Sequence, residues 1–319
     1  MAQAFGKVIL LGEHSVVYGH PAIAAALDRG VSARGTALRE AGAVDLLVIE
    51  PWGVQALPDV SSGGEPTLGR AFAEVLATFP AERPRVRIDA NVAIPGGSGL
   101  GCSAALGVAV VRAIDEALGQ THSLEDDIAR SLRWERVFHG QPSGVDNAIA
   151  AAGGLALFVK GSALEPLRAR RPLRLVVGDS GEASATKSMV ESVARQHEQV
   201  PEKTRQTFEA IAAIVRNGKL AIEGGDLRGL GQLMNMNQWL LAGLLLSTPK
   251  LEEMCAAARD TGALGAKLTG AGGGGCMVAL CADAASAELV RDAVAKHARD
   301  AFVVVAGGLP SGAAENDAP

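Results

Sequence analysis

The sequence predicts an α+β protein of two domains, on three observations. A chain of 319 residues is long enough for two domains and a large buried core. Hydrophobic residues make up 48% but aromatics only 3%, so the core must be built from Ala, Val, Leu and Ile, which suit helices packed on sheets. Strand-like and helical periodicities occur in both halves, and the charged, Pro-containing stretch from Glu165 to Pro172 separates them. The division therefore falls between residues 1–170 and 171–319, with a cleft expected where the two meet.

Phe5 to Leu11 reads as a buried strand that runs into a polar loop bounded by Gly12 and Gly19. Leu68, Ala71, Phe72, Val75, Leu76 and Phe79 recur at helical spacing, and Arg85 to Val92 alternates polar and apolar as a half-buried strand does. The loop Pro95 to Ser103 then opens a small-residue helix through about Leu118. Ser123 and Asp126 form a cap for a helix running to about His139. Pro142 and Gly153-Gly154 bracket another. Leu155 to Val159 and Leu173 to Val177 read as strands, followed by helices at about 186–198, 202–217, 226–246 and 249–261. A strand pair flanks the last glycine cluster, Ala284 to Arg299 reads as a helix and Phe302 to Val305 as a strand. The tail from Gly307 is expected to be disordered.

Charge and composition narrow the function. The formal net charge is -5, with Lys and Arg spread along the chain, so nucleic acid and anionic membrane are not expected partners. Apolar runs such as Leu244-Leu245-Leu246 are too short to span a bilayer and no signal peptide is legible, so a cytoplasmic protein is expected. Cys102, Cys255, Cys276 and Cys281 have neither CxxC spacing nor a partnering His cluster, and read as buried thiols.

The stretch Pro95-Gly96-Gly97-Ser98-Gly99-Leu100-Gly101-Cys102-Ser103 carries the chemistry. It ends on a helix N-terminus, where unpaired N–H groups and the positive end of the dipole attract an anion, and its glycines let backbone approach phosphate oxygens. A glycine loop alone also marks ordinary turns. Neither GxxxxGK with Ser or Thr nor a GxGxxG after the first strand is present, so the usual nucleotide folds are not supported.

The loop resembles the second motif of the GHMP kinases, PxGxGLGSSA, departing from it only at Cys102. Lys7 to Gly19, with its Gly12-Glu13-His14, is similar to the family's first motif, and Lys267 to Cys276 to its third, both in the form of the mevalonate kinase branch. His139 to Asn147 resembles the segment that holds that branch's catalytic Asp, and Met234 to Gln238 also has the family's look. The resemblance implies a two-domain GHMP kinase fold with its site in the cleft between an N-terminal, ATP-binding α/β domain and a C-terminal α+β domain. It implies ATP- and Mg²⁺-dependent phosphorylation of the mevalonate 5-hydroxyl by a homodimer.

Roles follow from the same resemblance. Asp146 would take the proton of the attacking hydroxyl, Lys7 would stand beside it and help hold the γ-phosphate, and residues 95–103 would bind ATP. Ser103 and Glu135 offer the oxygens that Mg²⁺ prefers. Glu13, His14, Thr186 and Ala271 would face the substrate. Without the motifs, Asp146 reads as a helix residue, Lys7 and Glu135 as solvated charges and His14 as structural. Cys102 has two readings, a thiol activated by the helix dipole or a small hydrophobe packed inward. Other GHMP kinases, and a sensor that has lost turnover, are the alternatives.

Overall fold

The computed structural model describes residues 1–61, 67–140, 142–184 and 186–306. The tail from Gly307, Gln141 of the Asp146 segment and Ala185 beside Thr186 lie outside the described residues. The chain divides into two compact units, one of residues 1–7 and 29–153 and the other of residues 8–28 and 154–319. Strands β1 (Ala2–Leu11) and β2 (Ala22–Leu38) carry residues of both.

In the first unit, β3 (Leu46–Ile49), β4 (Val54–Ala56) and β5 (Arg85–Val92) join the later part of β2. The β2 and β5 strands run antiparallel, with Val31 opposite Val92 and Leu38 opposite Arg85, whereas β3 runs parallel to β5. Alternation in β5 turns Val86, Ile88 and Ala90 inward. Helices α1 (Leu68–Leu76), α2 (Cys102–Leu118), α3 (Leu124–His139) and α4 (Val145–Ala152) complete this unit. Its core is small and aliphatic around α2, with Phe72 and Trp134 as the largest fully buried side chains. The Ser123–Asp126 capping box forms as expected, with both reciprocal bonds present.

The second unit holds β6 (Leu155–Phe158), β7 (Glu165–Pro166) and an antiparallel sheet of β8 (Leu173–Asp179), β9 (Gly265–Thr269), β10 (Cys276–Cys281) and β11 (Asp300–Ala306), in the order β11-β8-β10-β9. Its helices are α5 (Thr186–Gln199), α6 (Pro201–Gly224), α7 (Leu227–Gly243), α8 (Pro249–Asp260) and α9 (Ala284–Ala295). The β9–β10 pair is the strand pair expected around the last glycine cluster, in register from Cys276 opposite Thr269. Among the described residues no helix is long and apolar enough to cross a membrane.

Candidate active site

The residues expected to do chemistry fall into two groups, one in each unit. In the first, Lys7 sits on β1 with its side chain almost wholly buried. Its backbone N–H donates to the Leu100 carbonyl at 2.9 Å, and its ammonium donates to the Gly99 carbonyl at 3.0 Å. The same ammonium stands 3.1 Å from a carboxylate oxygen of Asp146. Gly97, Gly99 and Gly101 all have positive φ, and a Cβ at Gly101 would come within 2.8 Å of the Lys7 stem. Glycine is required here because the loop takes left-handed turns and lies against a buried lysine. Ser98 tightens the loop by donating to the Pro95 carbonyl at 2.8 Å.

Asp146 lies in the first turn of α4, after Gly144 in the left-handed region, where unpaired N–H groups favour an anion. The next residue, Asn147, is buried and donates to the Ser131 hydroxyl at 3.0 Å, which fixes α4 against α3. Asp146 keeps its carboxylate about one-third exposed (34%), whereas the Lys7 side chain that pairs with it is almost wholly buried.

In the first turn of α2, the Ser103 hydroxyl donates a short hydrogen bond to the Glu135 carboxylate of α3, which is itself buried. Burial is the largest influence on Glu135 and pushes its pKa from 4.5 up to about 7; the Ser103 bond opposes the shift and the Asp146 charge adds to it. His139, one turn along α3, places its Nε2 3.5 Å from Glu135, and burial holds its pKa below the usual histidine value. A desolvated carboxylate touching a hydroxyl is a hard-oxygen pair short of positive charge, which fits a divalent cation. Among the described residues no group of three or more His, Cys, Asp and Glu could hold a metal ion.

Cys102 is settled by its surroundings. Its side chain is buried in the aliphatic core, with Sγ 3.9 Å from the Ile94 carbonyl, and burial pushes its pKa from 9.0 up to about 12. The activated-thiol reading is therefore corrected: desolvation outweighs the helix dipole, and only the backbone of Cys102 is available to a phosphate.

The second unit gathers the substrate-side candidates. His14 has a positive φ of 61°, uncommon for a residue with a side chain, and its buried Nε2–H donates to the Ala271 carbonyl at 2.8 Å. Burial holds its pKa below the usual value, so the ring is neutral near pH 7. Ala271 belongs to a loop in which Gly270, Gly272, Gly273, Gly274 and Gly275 all have positive φ, a path closed to other residues. Thr186 opens α5, half-buried, and Ser184 just before it donates to the Gly272 carbonyl at 3.0 Å.

The resemblance sets Glu13 toward the substrate with His14, and the structure places its side chain in a buried ion pair. It is only 1% exposed, and its carboxylate is bound by the Lys267 ammonium and, at 3.5 Å, by the Asn237 amide. Asn237 also accepts from the Gly12 backbone at 3.3 Å, and Lys267 donates to the Ile9 carbonyl at 3.4 Å. Glu13 thus braces the loop that presents His14. Gln238 accepts from the Leu268 backbone at 2.8 Å, pinning α7 to β9. Of these supports, Lys267, Asn237 and Gln238 stood within recognised motifs, but nothing local marked Lys267 and Asn237 as buried partners of Glu13, more than two hundred positions away.

Two family models match the chain. The GHMP kinase N-terminal domain covers residues 67–154, and the GHMP kinase C-terminal domain covers residues 196–300. The chain therefore belongs to the GHMP kinase family. Among curated relatives it is 39% identical over 298 residues to a mevalonate kinase of Pyrococcus horikoshii and 35% identical over 289 residues to one of Methanothermobacter thermautotrophicus. The first alignment covers 88% of both chains, and the second covers 88% of this chain and 89% of the relative. Among solved structures it matches the L. major mevalonate kinase in complex with R-mevalonate, at a TM-score of 0.80 and 28% identity over 95% of this chain and 94% of that one.

Proposed function

We propose that this protein transfers the γ-phosphoryl group of ATP to the 5-hydroxyl of (R)-mevalonate, giving 5-phosphomevalonate and ADP. The observation that carries this reading is the Lys7–Asp146 pair, 3.1 Å apart, held against the glycine loop by the bond from Lys7 to Gly99. The relatives named above supply the substrate.

Phosphoryl transfer asks a protein mainly to align donor and acceptor and to offset charge. Asp146 accepts the proton of the 5-hydroxyl as its oxygen bonds to the γ-phosphorus and the bond to the bridging oxygen of ADP breaks. Lys7 holds the carboxylate in place and offers its remaining N–H to the γ-phosphate. The backbone from Pro95 to Ser103 binds the phosphates at the start of α2. Ser103 and Glu135 would hold Mg²⁺, which when bound neutralises phosphate charge. His14 binds the acceptor, with Thr186 and Ala271 near it, while Glu13 acts through His14. In this reading residues 1–170 form the ATP-binding domain and 171–319 its C-terminal partner, and the protein is a cytoplasmic homodimer.

A coupled assay of ADP release with mevalonate, phosphomevalonate and galactose in parallel tests the proposal. Turnover is expected to be fastest on mevalonate and to require Mg²⁺; faster turnover on either other acceptor would overturn the assignment.

A further inference from the structure

Trp134, beside Glu135 on α3, has no part in the reading above. It is the largest fully buried side chain among the described residues. Its indole lies against Gly107 of α2, where a Cβ would come within 2.9 Å of the ring, so the glycine makes the seat for the indole. Phe138 flanks it at 6.0 Å between ring centroids. From this seat its Nε1–H donates to the Ser103 hydroxyl at 3.2 Å.

That contact decides what Ser103 can do. A hydroxyl has one hydrogen to donate and two lone pairs with which to accept. An indole N–H can only donate, so Trp134 occupies one lone pair of the Ser103 oxygen. The hydroxyl hydrogen is committed to Glu135. One lone pair remains, and its direction is fixed because both other positions are tied to buried groups. An untethered serine would instead rotate among three staggered positions.

We propose that Trp134 is a positioning residue for the nucleotide and metal end of the site, locking the Ser103 hydroxyl so that its single free lone pair meets the incoming Mg²⁺–phosphate group. The inference rests on Ser103 facing that group. It would give the site a ligand oriented before binding, with less freedom to lose when Mg-nucleotide arrives. A purely structural Trp134 would fill space over Gly107 and leave ligand affinity unchanged.

A double-mutant cycle tests it, with Mg-ADP affinity measured by calorimetry in wild type, W134F, S103A and the double variant. W134F keeps an aromatic ring in the seat and removes the donor. It should weaken Mg-ADP binding about five- to tenfold, the scale of one hydrogen bond. In the S103A background the same change should alter affinity by less than about twofold, since its target is gone. Fluorine NMR of 5-fluorotryptophan protein gives a second readout in the native fold. The Trp134 resonance, assigned by elimination with W52F and W239F, should shift on adding Mg-ADP in wild type and not in S103A. If S103A weakens binding but W134F does not, or the two effects multiply independently, Trp134 is not a positioning residue and Ser103 keeps its role. If S103A leaves Mg-ADP affinity unchanged, the ligand role of Ser103 falls and the inference falls with it.

Discussion

Lys7 binds Asp146 and the Gly99 carbonyl with one ammonium, so a single buried cation ties the proposed base to the glycine loop. Asp146 and the glycine loop are thus positioned by one side chain that is itself buried.

Asp146→Asn should fold normally, because the carboxylate is partly exposed and α4 is anchored separately through Asn147 and Ser131. Its kcat should fall at least ~10²-fold, the usual scale for removing an acid or base group. Circular dichroism and steady-state kinetics on the same preparation check this; near-normal kcat would make Asp146 structural.

Glu135 predicts a pH dependence with a definite sign. Its pKa is raised from 4.5 to about 7 by burial, so the folded protein keeps a proton that the unfolded chain gives up. That contribution favours the fold at low pH and is lost as pH rises through 7, with a size of order 3 kcal/mol for a shift of this extent. Without ligand, the Tm of wild type should fall relative to that of Glu135→Gln between about pH 5 and pH 8. Mg-nucleotide needs the carboxylate form, so its affinity should rise over the same interval and stay flat in Glu135→Gln. Parallel scans and binding titrations check both.

Cys102 should resist alkylation. All four thiols are buried, and burial pushes Cys102, Cys255 and Cys281 up to about 12. Mass spectrometry after brief iodoacetamide treatment should find Cys102 unmodified in native protein and modified in denaturant, and Cys102→Ser should keep kcat/KM within about threefold. Rapid native modification of Cys102 would contradict the packing assigned to it.

Lys267→Met should destabilise the fold by about 3–5 kcal/mol, because it leaves the Glu13 carboxylate buried without its cation. Adding Glu13→Gln should recover much of that loss by removing the stranded charge. Urea denaturation of the single and double variants measures this, and equal stability of the two would contradict the ion-pair account.

Local signals were legible wherever the chemistry is local. The Ser123 cap, the glycine loop opening α2 and the segment around Asp146 could be read because each depends on residues a few positions apart. The strand β2 was not read, because Ala22 to Leu38 is rich in alanine, a good helix former, and its extended form is imposed by pairing with β5 and β6. The pairing of Glu13 with Lys267, 254 residues away, has no local signal, because a sequence does not show which charges are buried together. The packing of Cys102 was undecided for the same reason. Trp134 carried no signal, since its role depends on the seat that Gly107 makes on another helix.

The position of the new phosphate ester tests the central claim most directly. Protein incubated with (R)-mevalonate and Mg-ATP should yield a product whose proton-coupled phosphorus NMR signal is a triplet, split by the two hydrogens on C5. A singlet, from phosphate on the tertiary C3 oxygen, or the absence of any phosphorylated mevalonate, would contradict the account.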